Sequence, residues 1–332
     1  MEKKVKIEEL DPIKYGPLKG YFEGYRFYGP SSDTGYLMPA GYKELADNVL
    51  NMTARPDDVW VTGYPRSGTT LTQELVWQVA NGCDYEKASK SPLMETIYVF
   101  RTYLYVYFRG EMSVNLIQSR VNGEVSEPVY TMDAVNEAPS PRFIKTHFPF
   151  SLLPSNLLDT TKVVYIARDP RDVVVSLYQF ARRLMTIKTD FKTFWTLFFN
   201  DLVIYSPCLA HVKEAWQLRH HPNMEFIFYE DMIRDIPLYI KRVADFLDKK
   251  LTDDQIAELT EHLNIKNFRK NESVNPNWMN KSGNPDSEGF IRKGEAGGWR
   301  EHFDEEMAAQ AQRWISEHLA GSDLRFPDHT SQ

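Results

Sequence analysis

Four short apolar runs, Val59–Thr62, Phe143–Lys145, Val163–Ala167 and Phe226–Tyr229, are rich in β-branched and aromatic residues and read as strands. Apolar positions recur at helical spacing over Leu71–Val79, Asp172–Leu184, Tyr239–Leu247 and Gln255–Leu263. Strands that alternate with helices belong to a mostly parallel sheet buried on both faces. The expectation is an α/β three-layer sandwich around a mostly parallel central sheet. Residues 1–54 hold many turn formers, such as Tyr28-Gly29-Pro30-Ser31-Ser32-Asp33, and read as a lead-in segment wrapping the core. The motif-bearing core then spans 55–303, and 304–332 read as a C-terminal helix and tail, all within one domain of 1–332. Asn271–Gly298, rich in Asn, Ser, Gly and Pro, reads as a long loop of the kind that often carries function.

One junction in this pattern has chemical content. The run Val59-Trp60-Val61 leads through Tyr64-Pro65-Arg66-Ser67-Gly68-Thr69-Thr70 into the helix-like Leu71–Val79. A strand, a tight loop and a helix aim the helix dipole and the free N–H groups of its first turn at the loop. Gly68 permits close backbone approach, Ser67, Thr69 and Thr70 offer hydroxyls, and Arg66 adds a fixed positive charge. The loop lacks the Gly-Lys-Ser/Thr ending of a Walker A motif. A turn glycine ahead of a helix N-cap is the plainer interpretation.

Composition narrows the classes. The chain has 332 residues, 42% hydrophobic and 26% charged, which suits a soluble globular protein with a sizeable core. A formal net charge of −7 argues against a nucleic-acid or acidic-membrane binder, so an anionic ligand needs a local basic pocket. No apolar stretch approaches the length of a membrane span, and Met1–Leu10 has no apolar signal core. Cys83 and Cys208 therefore read as reduced thiols of a cytoplasmic protein. His220-His221 beside Pro222 reads as a surface turn rather than a metal site.

Four further segments fit an anion site. Lys145-Thr146-His147 ends a predicted strand, where α/β folds place ligands; Lys145 suits developing negative charge and His147 a proton, unless the histidine is purely structural. In Arg168-Asp169-Pro170-Arg171-Asp172-Val173-Val174-Val175-Ser176, Asp169 can cap the helix and Pro170 suits its first turn. Arg168 and Ser176 could bind a second phosphate, provided Ser176, two turns in, faces the pocket. Phe228-Tyr229-Glu230-Asp231 reads as a strand end with an acidic helix cap. Arg292-Lys293-Gly294-Glu295-Ala296-Gly297-Gly298-Trp299 sets two cations beside a glycine-rich turn suited to wrapping a phosphate.

These five segments, in this order, resemble the cytosolic sulfotransferases, which move a sulfuryl group from PAPS to a small-molecule hydroxyl or amine. The resemblance implies a P-loop nucleotide-binding-like fold, PAPS as donor, PAP as product and no metal. It implies that Arg66, Ser67, Gly68, Thr69 and Thr70 hold the 5′-phosphosulfate, and that Arg168, Ser176, Arg292, Lys293 and Gly294 hold the 3′-phosphate. Tyr229 and Phe268 would contact the adenine, with Leu71 standing where the family has a stacking tryptophan. His147 would be the general base, Lys145 and Arg66 would stabilise the spreading charge, and Phe148 and Phe180 would join His147 around the acceptor. Arg66 stands where the family usually has lysine, so its role is electrostatic. Lys266 takes the place of an adenine-contacting threonine. Asp304-Glu305 replaces the Thr-Val of the family's dimer motif, so a homodimer stays open.

The segment Glu95–Glu137 is longer than in mammalian members and carries Tyr98, Phe100, Tyr103, Tyr105, Tyr107 and Phe108. It reads either as a packing element or as an aromatic lid over a flat lipophilic acceptor. An insect retinol dehydratase of the family has an added segment near here, which sets elimination through a sulfated intermediate beside simple transfer. A nucleotide kinase and a non-catalytic carrier of lipophiles compete with both. The missing Gly-Lys-Ser/Thr opposes the kinase, and intact Lys145 and His147 oppose the carrier.

Overall fold

The structure, a computed structural model, describes residues 2–10, 25–38, 42–90, 98–99, 132–184, 187–275, 291 and 293–329. Three strands near the N-terminus, β1 (Lys6–Glu9), β2 (Tyr25–Tyr28) and β3 (Gly35–Met38), form an antiparallel sheet. The central sheet contains β4 (Val59–Thr62), β5 (Tyr98–Val99), β6 (Phe143–Thr146), β7 (Lys162–Ala167) and β8 (Met224–Phe228). Its order is β5-β6-β4-β7-β8, and every pairing is parallel. Val59 lies opposite Phe143 on one side and Lys162 on the other, so β4 is flanked by both site-bearing strands.

Successive side chains of these strands point to opposite faces, and both faces are buried. Trp60, Ile144, Val163 and Tyr165 enter one apolar cluster with Val173, Val174 and Leu177, and with Phe194 and Phe198 of the helix Phe191–Phe199. Val61, Val164, Ile166 and Ile227 enter a second cluster with the helices Thr69–Ala80, Ile236–Phe246 and Asp253–Leu263. Two helical layers on one sheet make the expected three-layer sandwich.

Local chemistry sets the boundaries. The helix Pro170–Leu184 begins with proline, and Asp169 Oδ1 accepts the Arg171 N–H at 2.8 Å. Ile236–Phe246 starts three residues before the predicted Tyr239, because Asp235 caps it on the Leu238 N–H at 3.0 Å and Pro237 suits the first turn. Thr252 and Gln255 form a capping box for Asp253–Leu263.

Three expectations need correction. Tyr229 does not end a strand; it opens the helix Tyr229–Arg234, whose first turn holds Glu230 and Asp231 where the dipole favours acids. The turn formers at 28–33 do not merely wrap the core: they close the β2–β3 hairpin, with Ser32 N–H donating to Gly29 O at 3.1 Å. That hairpin supports the site, because Tyr205 N–H donates to Leu37 O at 2.6 Å and Leu37 N–H to Ser206 O at 2.8 Å. In the predicted loop, Gly298 opens a short 3-10 turn through Glu301, while 276–290 and Arg292 lie outside the described residues. Phe100, Tyr103, Tyr105, Tyr107 and Phe108 also lie outside them. The two cysteines are free and buried, and His220-His221 lies in a turn. Among the described residues no helix is long and apolar enough to cross a membrane.

Candidate active site

The site forms where the parallel strands end. Beyond β4 the chain turns sharply: Ser67 N–H donates to Tyr64 O at 3.2 Å, Arg66 takes a left-handed φ of 71°, and Gly68 has φ 104°. A Cβ on Gly68 would lie 2.5 Å from the Tyr229 ring, so glycine is required for space as well as for backbone angle. Thr72 then fixes the loop to the helix, its N–H and Oγ1 both donating to Gly68 O at 3.1 and 3.2 Å. Ser67 is 1% exposed, and its Oγ has no hydrogen-bond partner among the described residues. An orphaned hydroxyl in a buried loop at a helix N-terminus suits an anionic ligand.

Arg66 leaves this loop toward the next helix. Its Nε donates to Ser176 Oγ at 3.0 Å, and its guanidinium lies 5.1 Å from the Phe180 ring centre. Ser176 Oγ is therefore turned toward the loop that follows β4. Arg168, just beyond β7, ties three motif segments together. It stacks on Tyr229 at 4.5 Å, reaches Arg66 O at 3.4 Å and donates to Glu295 O at 2.8 Å. Its Nε is buried without a partner among the described residues. Asp172, in the first turn of the helix, accepts the N–H groups of Gly297 at 2.6 Å and Trp299 at 2.9 Å.

On the other side of β4, His147 follows β6. Its Nδ1 lies 2.6 Å from Gly63 O and its Nε2 lies 2.5 Å from Lys145 Nζ. A carbonyl only accepts, so Nδ1 carries the proton and the Nε2 lone pair faces the ammonium. Burial, then the Lys145 charge, push the His147 pKa well below the ordinary histidine value. The ring is thus uncharged at neutral pH. The Tyr205 ring lies 5.6 Å from it, and His211 Nε2–H donates to His147 O at 3.0 Å. His211 in turn accepts from Tyr165 Oη at 2.7 Å, and burial pushes its pKa down to about 4.

The remaining predicted residues distribute around these. Tyr229 and Phe268 are buried in the second apolar cluster, and Leu71 packs against that cluster. Gly294 has φ 69°, and a Cβ there would meet Ile265 of the helix Ile265–Phe268 at 2.5 Å. Lys293 Nζ donates to Glu301 Oε2 at 2.8 Å. Phe148 is 1% exposed and packs on Tyr42, ring centres 4.9 Å apart. Thr69 is buried, and Thr70 half-buried, in the first turn of Thr69–Ala80. Gly63, Asp172, Tyr205 and His211 also contact these residues, and the sequence assigns none of them to the site. Asp172 carries a signal, lying four residues after Arg168 within the same motif; Tyr205 and His211 carry none.

A strand–loop–helix junction with a buried, partnerless Ser67 hydroxyl, two arginines and an uncharged histidine beside a lysine suit group transfer from an anionic donor. Similarity to known proteins resolves the class. The sulfotransferase domain model matches residues 56–323, so this chain belongs to the sulfotransferase family and is an enzyme of that class. It is 30% identical to luciferin sulfotransferase of Photinus pyralis over 294 residues, 85% of this chain and 77% of that one. It is 35% identical to sulfotransferase 4A1 of Homo sapiens over 231 residues, 69% of this chain and 72% of that one. It is 40% identical to retinol dehydratase solved with retinol and PAP, with a TM-score of 0.87, covering 98% of this chain and 100% of that one.

Proposed function

We propose that this chain transfers the sulfuryl group of PAPS to the hydroxyl of a flat lipophilic alcohol or phenol, with His147 as general base. The observation that carries this is the His147 pair of contacts. Nδ1–H is committed to Gly63 O, and Nε2 is left as an uncharged acceptor beside Lys145. PAPS, when bound, supplies an activated sulfuryl group on its 5′-phosphate. The orphaned Ser67 Oγ and Arg168 Nε fit such a ligand, since each is a buried polar atom lacking a partner among the described residues.

With PAPS bound, His147 Nε2 would take the acceptor's hydroxyl proton while the acceptor oxygen bonds to sulfur and the bond from sulfur to the 5′-phosphate oxygen breaks, releasing PAP. Lys145 and Arg66 place positive charge where negative charge spreads during transfer. Ser67, Gly68, Thr69 and Thr70 hold the 5′ side. Arg168 and Ser176, with Arg292, Lys293 and Gly294, hold the 3′-phosphate and separate this donor from ATP. Tyr229, Phe268 and Leu71 take the adenine, while Phe180, Phe148 and Tyr205 supply aromatic surface for the acceptor. Most of the rate then comes from positioning and electrostatics.

The likeness to retinol dehydratase favours one second reading, in which the sulfated alcohol loses sulfate and a carbon-bound proton to form a new C=C bond. A related structure of that enzyme holds androsterone and PAP, at the same 40% identity. Incubation with PAPS and either retinol or androsterone, followed by mass spectrometry, separates the outcomes. A stable sulfate ester supports transfer alone, and a dehydrated product supports elimination. Failure to form PAP with any alcohol in a broad lipophilic panel contradicts both.

A further inference from the structure

We infer that Asp172 is a positioning residue for donor recognition, which clamps the glycine-rich loop 293–299 onto Arg168 and so assembles the 3′-phosphate cradle. The inference rests on the donor reading above and adds a residue that reading did not use.

The cradle is built from two parts far apart in sequence. Arg168 and Ser176 belong to β7 and its following helix, whereas Lys293 and Gly294 belong to a loop more than a hundred residues later. Something must hold these parts in register before a ligand arrives. Asp172 is placed to do it: it is 4% exposed, and its Oδ2 accepts Gly297 N–H at 2.6 Å while Oδ1 accepts Trp299 N–H at 2.9 Å. The same Oδ2 lies 3.8 Å from Arg168 Nη2, and that nitrogen donates to Glu295 O at 2.8 Å. One carboxylate and one guanidinium thus grip residues 295, 297 and 299 from the helix side. Arg171, the residue before Asp172, covers the Trp299 ring at 4.1 Å and closes the contact.

The geometry needs a carboxylate. Two backbone N–H groups point at its two oxygens, and a guanidinium shares one of them. Asparagine at this position could accept only one N–H, and its NH₂ would face either the other donor or Arg168. With two N–H groups and Arg168 around it, the charge of Asp172 is also masked from an incoming phosphate. Glycine at 297, with φ 81°, lets the loop turn its N–H inward.

The test is calorimetric titration of wild type and Asp172→Asn with PAP and with AMP, which lacks the 3′-phosphate. The expected result is that the variant loses about tenfold or more in PAP affinity, the scale of one unsatisfied buried charged contact, while AMP affinity stays within about twofold. A general loosening of the fold would weaken both nucleotides alike, and that outcome, or no change in either, overturns the assignment. If Asp172→Asn does not fold, hydrogen exchange on the wild-type chain decides. PAP and not AMP should slow exchange at 293–299 together with 168–176, and independent behaviour of the two segments would sink the clamp. Wild-type protein that binds PAP no better than AMP would overturn the donor reading itself, and the assignment would fall with it.

Discussion

His147 owes its chemistry to neighbours that hold it neutral from both sides. Gly63 O fixes the proton on Nδ1, and burial together with the Lys145 ammonium makes a second proton unwelcome on Nε2. The acid limb of kcat/KM, which reports the free enzyme, should therefore lie below the ordinary histidine value of 6.5. Lys145→Met removes a positive charge that depresses this pKa. The limb should then move toward higher pH, alongside a fall in maximal rate from lost charge stabilisation. A pH–rate profile checks it, and a limb that stays put or moves down would separate Lys145 from the titration. Arg66 shows the limit of residue-level reading: its charge is legible in the sequence, but its Nε contact with Ser176 spans 110 positions and follows only from the fold.

Among the elements, the junction from β4 into Thr69–Ala80 sets the donor side. Tyr229 is pinned below Arg168, so its ring cannot yield to a Cβ added at Gly68. Gly68→Ala should cost about 1–3 kcal/mol through strain at positive φ and this clash, and should weaken PAP binding as well. Thermal melting with calorimetry checks both, and an unchanged melting temperature would contradict the packing of Tyr229 against the loop. This junction is readable in the sequence because a strand, a glycine and a helix lie consecutively. The β2–β3 hairpin is not, because its strands are short, part of its sequence reads only as turns, and its partners at Tyr205 and Ser206 are remote. The end of β8 misleads for a related reason. Phe228-Tyr229 continues a β-like composition, and only the acidic first turn that follows marks the change to helix. Backbone partners such as Gly63 O leave no trace in side-chain pattern at all.

Across the whole molecule, positive charge is concentrated locally. The chain carries a net −7, yet Arg66, Lys145 and Arg168 converge on the ends of β4, β6 and β7. Far from that site, Arg142 and Asp58 form a buried ion pair, each 1% exposed, with Nε–Oδ1 at 2.8 Å. Arg142 also donates to Val135 O at 3.1 Å and Thr53 O at 3.0 Å, joining the entry of β4 to the entry of β6. Asp58→Ala leaves that guanidinium buried and unpaired, which should cost about 3–5 kcal/mol of stability in denaturant unfolding. A loss below about 1 kcal/mol would mean that water or another group replaces the pair. Sulfuryl transfer with His147 as base is the central claim, and transfer of labelled sulfur from PAPS to lipophilic alcohols tests it most directly. Wild type should make labelled ester or release labelled sulfate with PAP. His147→Ala should do so about 10²–10⁴-fold more slowly while still binding PAP. Equal rates in the two proteins, or no PAPS consumption by wild type with any acceptor, would contradict it.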